Sequence, residues 1–251
     1  MTAAGARIAQ SFARGMPSYD RAATAQRRIA KALFDACRRL APEPPRRVFE
    51  AGYGSGHLTR HLAGLRPERL WLNDLVAPPL PGVRATYLPG DIARARLPQA
   101  LDLVASASMI QWVARPAEVL DRLCAAVAPG GVLALSGYAP DHFPELRALG
   151  SRAGAPSCLD GAAIAALLPP GWRPLGCGEW RIALHFPDAL AVLRHLRATG
   201  VNGRAGQFRS RGALQDFLAR YEAAHGGPQG VTLTYVASWL VARKQPPTSP
   251  C

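Results

Sequence analysis

Lysine is nearly absent: Lys31 and Lys244 are the only two in 251 residues, so the net charge of +13 rests almost wholly on arginine. No Gly-Lys-Ser/Thr ending occurs anywhere, which excludes a phosphate-cradling P-loop. Cys37, Cys124, Cys158, Cys177 and Cys251 are odd in number and never form a Cys-x-x-Cys pair. Neither a disulfide framework nor a zinc site is indicated, and no metal is expected. No stretch approaches the roughly 18–20 apolar residues of a membrane helix. Residues 1–15 lack the apolar segment of a secretory signal, so a cytoplasmic protein without membrane association is expected. Internal repeats are also missing.

What the chain does have is a hydrophobic content of 49%, enough for one large α/β domain with additions. Its centre is Val48-Phe49-Glu50-Ala51-Gly52-Tyr53-Gly54-Ser55-Gly56. A buried strand ends at Glu50, a tight turn follows, and a helix begins near His57. Glycine at every second position permits positive φ and close approach of a ligand. The spacing is not that of a dinucleotide loop, and Glu50 would repel a pyrophosphate but welcome a cation. Around it strands are expected at 47–51, 70–74, 85–88, 101–106 and 132–136, with helices at 57–63 and 116–128. Later come a short helix at 160–168, an extended segment at 172–184, helices at 189–199 and 214–225, and a last strand at 231–236 with 239–241. This alternation predicts a doubly wound, mostly parallel, seven-stranded sheet. Residues 1–45 read as a helical cover, 46–245 as the main domain with a helical insertion near 187–226, and 246–251 as a disordered tail. Between strands two and three, Val76-Ala77-Pro78-Pro79-Leu80-Pro81-Gly82 is too short and too proline-rich for a full crossover helix.

Strand-Glu-x-Gly-x-Gly-x-Gly resembles the first motif of class I methyltransferases that use S-adenosylmethionine (SAM), whose ammonium and sulfonium suit Glu50. Further strand ends supply matching groups. Asp74, flanked by Asn73 and Leu75, is placed to take both ribose hydroxyls; Asp91 and Ile92 fall at the adenine; Ser106 and Ile110 follow strand four. With Gly52, Gly54 and Gly56 these form the expected cofactor set.

More specific stretches are Phe12-x6-Tyr19-Asp20 with Gln26, Ser106-x-Ser108-Met109-Ile110-Gln111-Trp112, Leu193 through Asn202 with its Arg-Ala-Thr-Gly-Val-Asn ending, and Leu233-Thr234-Tyr235. Together they resemble the malonyl-acyl carrier protein O-methyltransferases of biotin synthesis, from about Phe12 to Arg243. The resemblance implies methyl transfer from SAM to the free carboxylate of a malonyl thioester on acyl carrier protein, which masks the charge so that the chain can be elongated toward pimeloyl. Two features depart from the family: Tyr53 where cysteine is common, and the short segment after Asp74. An already ionised carboxylate needs no general base, in keeping with the lack of a compelling His-Asp pair; His57 and His61 read as helix surface.

Tyr19, Gln111, Trp112, Arg197 and Asn202 are the expected substrate-side residues, with Tyr19 foremost. Between residues 189 and 215 there is no acid, whereas Arg194, Arg197, Arg204, Arg209 and Arg211 offer a basic rim for the acidic carrier protein. The alternatives are another class I small-molecule methyltransferase, or a non-methylating SAM-binding relative of the complex I assembly hydroxylase type. A nucleic-acid substrate is disfavoured by the lack of an Asn/Asp-Pro-Pro-Tyr/Phe motif.

Overall fold

A computed structural model gives the protein's fold and describes residues 19–75, 78–151, 155–200, 208 and 210–246. Its strands are β1 (Arg47–Ala51), β2 (Arg69–Asp74), β3 (Thr86–Pro89), β4 (Leu101–Ala107), β5 (Val127–Tyr138), β6 (Trp172–Phe186), β7 (Gly226–Gly227) and β8 (Gly230–Lys244). They form one sheet in the order β3-β2-β1-β4-β5-β8-β6, with the two-residue β7 pairing only with β8. The first five strands are mutually parallel, and β8 runs antiparallel to β5 and β6. The strand order reverses between β1 and β4, which opens a crevice beyond their carboxyl ends.

The alternation of side chains along each central strand builds two cores. Val48, Leu72, Leu103 and Val132 face α1 (Thr24–Leu40) and α2 (His57–Gly64). Phe49, Val104, Leu133 and Leu240 face α3 (Pro116–Ala126) and α5 (Gly161–Ala166). In α1, Ile29 and Leu33 are spaced one turn apart and fully buried, each contributing roughly 1.5–3 kcal/mol of transfer free energy. Glu50 shares the parity of Val48, so its carboxylate is carried toward α2.

A third core lies beyond the sheet's carboxyl edge. Ala237 opposes Tyr138, the last residue of β5, yet β6 and β8 continue pairing as far as Phe186 with Val231. This protruding arm is covered by α4 (Pro144–Ala148), α6 (Ala189–Ala198) and α7 (Arg211–His225). Val192, Leu196, Tyr221, Leu233 and Tyr235 pack there with Ala25 and Ile29 of α1. Asp188 and Ser210 cap α6 and α7 by accepting from the N–H groups of Ala191 and Ala213 at 2.7 and 3.1 Å, each worth about 1 kcal/mol.

Several elements differ from expectation. β5 begins before the Pro129-Gly130-Gly131 turn, because Leu101 pairs with Val127 before the register jumps to Leu103 with Val132. The turn is therefore looped out within a continuing ladder, with Gly130 at φ +82°. The short α4, a 3-10 turn at Ile110–Trp112 and β7 were not anticipated. Among the described residues between β2 and β3 there is no helix. Instead two tyrosines pin this segment: Tyr53 donates its hydroxyl to Pro78 O at 3.0 Å, and Tyr87 accepts from Leu80 N–H at 2.9 Å. Their rings meet edge to face at 5.7 Å. The two departures from the family are thus one arrangement, in which Tyr53 anchors the short crossover. The residues of the expected disordered tail beyond Pro246 lie outside the described ones.

Candidate active site

The glycine loop sits at the end of β1 with Gly52, Gly54 and Gly56 at φ +72°, +51° and +82°. A Cβ on Gly52 would fall 2.4 Å from Met109 Cγ, and one on Gly56 would fall 2.4 Å from Leu80 Cδ1. At Gly54 an added Cβ meets no atom of the described residues within 4 Å. The loop is therefore packed at its two ends and open in the middle, as a ligand-facing turn must be. Asn73 O accepts from the N–H groups of Gly52 and Tyr53 at 2.7 and 3.2 Å, and Gly54 N–H donates to Asp74 Oδ2 at 2.9 Å. The end of β2 thus holds the loop against itself.

Glu50 lies beneath the loop, 1% exposed, and its Oε2 has no hydrogen-bond partner among the described residues. Burial pushes its carboxyl up to about 8; the nearby Thr59 hydroxyl, short of hydrogen-bond geometry, pulls the other way, and Asp74 adds to the rise. An orphaned buried carboxylate calls for a cationic partner. Together with the open space at Gly54 and the adjacent Asp74, this fits the ammonium-bearing end of SAM.

The other expected cofactor residues divide. Asp91 and Ile92 follow β3, where Asp91 Oδ1 caps a turn by accepting from Ala93 N–H at 3.0 Å. Leu75 is half-buried beside Asp74. Asn73 spends its amide on Leu88 O and Gly90 O, at 2.7 and 3.0 Å. Ser106 is fully buried and donates to Ala51 O at 2.7 Å, and Ile110 belongs to the apolar core. These three thus also hold the crevice in place, through the backbone and the core.

On the substrate side, Tyr19 comes over the loop. Its ring stacks on His57 at 6.3 Å, and burial raises its phenol above the ordinary range, with Asp74 and Asp20 adding to the effect. His57 is no surface residue: its ring is near Ser55 Oγ (3.1 Å) and Asp20 (3.6 Å), and burial pushes it down to about 4 against the pull of Asp20. Gln111 is fully buried and donates to Ser108 O at 2.6 Å, while its Oε1 has no partner among the described residues. Ser108 itself adopts φ +55°, a costly conformation for a non-glycine residue at the mouth of the crevice. Trp112 is half-buried in the same turn. Arg197 stands exposed on α6. Asn202 lies outside the described residues. Among the described residues no cluster of three His, Cys, Asp or Glu is arranged to hold a metal.

Sequence reasoning assigned no role to Tyr138 or His195, and Gln26 and Tyr235 entered only as part of the family pattern. Tyr138 and Tyr235 are 3% and 0% exposed, and His195 Nε2 lies 2.8 Å from the Tyr235 hydroxyl. For Tyr138 the signal in the sequence was an aromatic hydroxyl just after an expected strand. A separate cavity of about 360 Å³ opens at the opposite, amino-terminal edge of the sheet, between α1, α2 and the starts of β4 and β5. Its rim charges are already paired, Arg243 with Glu43 and Arg46 with Glu68. It contains none of the groups above.

Residues 24–221 match a family model described as a methyltransferase domain. The chain is 36% identical over 252 residues to the malonyl-[acyl-carrier protein] O-methyltransferase of Prosthecochloris aestuarii, covering 95% of this chain and 93% of that one. It is 31% identical to the enzyme of the same name from Bacteroides thetaiotaomicron, covering 95% and 97%. Among solved structures, a Bacillus halodurans protein superposes with a TM-score of 0.60 at 13% identity, over 85% of this chain and 99% of that one. A Burkholderia thailandensis 1,6-didemethyltoxoflavin-N1-methyltransferase, solved with S-adenosylhomocysteine, superposes at 0.54 with 14% identity, over 98% and 92%. These two likenesses concern the fold alone.

Proposed function

The chain belongs to the malonyl-[acyl-carrier protein] O-methyltransferase family, and on that footing we propose that it transfers a methyl group from SAM to the free carboxylate of a malonyl thioester carried on acyl carrier protein. The single observation that carries the cofactor half is the buried, unpartnered Glu50 beneath a glycine loop open at Gly54.

SAM supplies an electrophilic methyl on a sulfonium. The chain's part is to hold and align. Glu50 receives the ammonium, Gly54 lets the ligand approach the backbone, Asp74 takes the ribose hydroxyls, and Asp91 with Ile92 borders the adenine. No side chain need remove a proton, because a carboxyl group of ordinary pKa near 4 is ionised at neutral pH. Rate enhancement then comes from alignment and exclusion of water. Tyr19, laid over the loop, closes the crevice on its solvent side. The product ester is uncharged, which suits further elongation toward pimeloyl. Cytoplasmic work accords with the free thiols of Cys37, Cys124, Cys158 and Cys177.

The carrier protein is proposed to dock on a basic rim. Arg194, Arg197 and Arg211 are exposed on α6 and at the start of α7; Arg204 and Arg209, also expected there, lie outside the described residues. Charges at such a rim speed encounter and set orientation. Arg194→Glu with Arg197→Glu is expected to raise KM for malonyl carrier protein several-fold at low salt, with malonyl-CoA turnover little changed. Added salt should narrow the gap, since screening acts over about 10 Å at 0.1 M. Equal losses on both substrates, or none on either, would refute docking at this rim.

A further inference from the structure

Polar side chains from four segments converge where α1 meets the protruding arm of β6 and β8. Gln26, in the first turn of α1 and 5% exposed, donates Nε2 to the Tyr138 hydroxyl at 3.5 Å, a long contact. Its Oε1 has no partner among the described residues. Tyr138 ends β5, and Tyr235 projects from β8, their rings edge to face at 6.1 Å. From α6, His195 reaches the Tyr235 hydroxyl at 2.8 Å.

The cluster stands at the carboxyl edge of the sheet, as the cofactor loop does. Asp74 lies close enough to raise the Tyr19 phenol, and Tyr19 in turn raises those of Tyr138 and Tyr235, burial being the larger cause for each. Geometry ties Tyr138 to the end of β4: two residues before it in β5, Ser136 O accepts from Ser108 N–H at 3.0 Å.

Packing alone does not account for this composition. Phenylalanine and leucine would fill the same volume without burying two hydroxyls and an amide whose Oε1 has no partner among the described residues, and such groups are costly to bury. Each phenolic oxygen can accept from a neighbour, Tyr138 from Gln26 Nε2 and Tyr235 from His195 Nε2, so each hydroxyl keeps its own proton for a small anion, and Gln26 Nε2 has a second proton for the same use. His195, pushed down to about 4 by burial, is neutral near pH 7. With its proton on Nε2 it donates to the Tyr235 oxygen and leaves the phenolic proton for a ligand.

Uncharged donors suit the reaction better than a guanidinium. An arginine would bind the carboxylate in a strong bidentate pair, damping its nucleophilicity, and would place a second cation beside the sulfonium. Hydroxyl and amide donors orient one oxygen, and their weaker hold loses less when the charge disappears on esterification.

We propose that Gln26, Tyr138 and Tyr235 form the receptor for the free carboxylate of the acyl substrate, with His195 positioning the Tyr235 hydroxyl. This rests on the function proposed above and names the part of the site that reads the acid.

The test is calorimetric binding to the intact protein saturated with S-adenosylhomocysteine, using malonyl-pantetheine and acetyl-pantetheine, which differ by the carboxylate. Wild type is expected to prefer the malonyl probe by about tenfold or more, the scale of a hydrogen bond to a charged group. Tyr138→Phe and Tyr235→Phe should each erode that preference several-fold, and the double variant should abolish it, with affinity for S-adenosylhomocysteine unchanged. His195→Gln, which keeps an N–H donor, should retain more of the preference than His195→Ala. A wild type without preference, or a double variant that keeps it, overturns the proposal. Methyl transfer by the same samples reports separately on the function: binding preference without turnover would sink that reading and leave the carboxylate receptor standing.

Discussion

Gly54→Val is expected to weaken SAM binding by more than about a hundredfold, or some 2.7 kcal/mol, while the protein stays folded. The argument is the contrast along one loop. At Gly52 and Gly56 an added Cβ would strike Met109 and Leu80, so substitutions there damage the protein itself. At Gly54 it would meet nothing among the described residues and, on this reading, would stand in the ligand's space. The positive φ of +51° adds strain of roughly 1–2 kcal/mol, more for a β-branched residue. That is a drop of a few degrees in Tm for a domain of this size. Calorimetric titration with SAM beside a thermal melt checks both halves. Normal affinity in Gly54→Val would remove the loop from the cofactor site.

The second large effect is on pH. In the ligand-free protein Glu50 is raised to about 8. The unfolded chain loses this proton near 4.3, so between the two values the folded state holds a proton that the unfolded state has released. Glu50 therefore lowers ligand-free stability progressively as pH rises from about 4.3 to 8. An ammonium beside Oε2 reverses this by favouring the carboxylate, so ligand binding releases the proton. Affinity for SAM should climb toward pH 8 by up to about tenfold per unit. Above pH 8 it should fall again as the ligand's own amine, with an α-amino pKa near 8, loses its charge. Glu50→Gln should remove the acid limb and bind weakly throughout. Titrations from pH 6 to 9 decide it; a flat profile below pH 8 would mean that Glu50 does not meet the ammonium.

The positions of the first five strands along the chain and the glycine loop were legible because local signals agree there. Val48-Phe49-Glu50-Ala51 reads as a buried central strand, and three alternate glycines have few uses other than a tight, ligand-facing turn. β5 was cut short because Pro129-Gly130-Gly131 has the chemistry of a turn; only its pairing to β4 shows that the ladder resumes across it. At strand ends the sequence pattern cannot say which way a polar side chain is spent. Asn73 and Ser106 stand where a ligand contact is reasonable, yet backbone carbonyls take both. Gln26 and Tyr138 are 112 residues apart, and no periodicity reports such a contact. Tyr53 shows the reverse: a departure from the family pattern gained its reason only when Pro78 came into view.

The central claim is methyl transfer to the carboxylate of a carrier-bound malonyl group. Intact mass spectrometry of malonylated acyl carrier protein, incubated with the protein and SAM, measures it directly. The account predicts a gain of one methyl on the malonyl carrier, dependent on SAM and reversed by alkaline hydrolysis of the ester, and no gain on acetyl carrier protein. An unchanged malonyl carrier, or a methyl that also appears on the acetyl carrier, would contradict it.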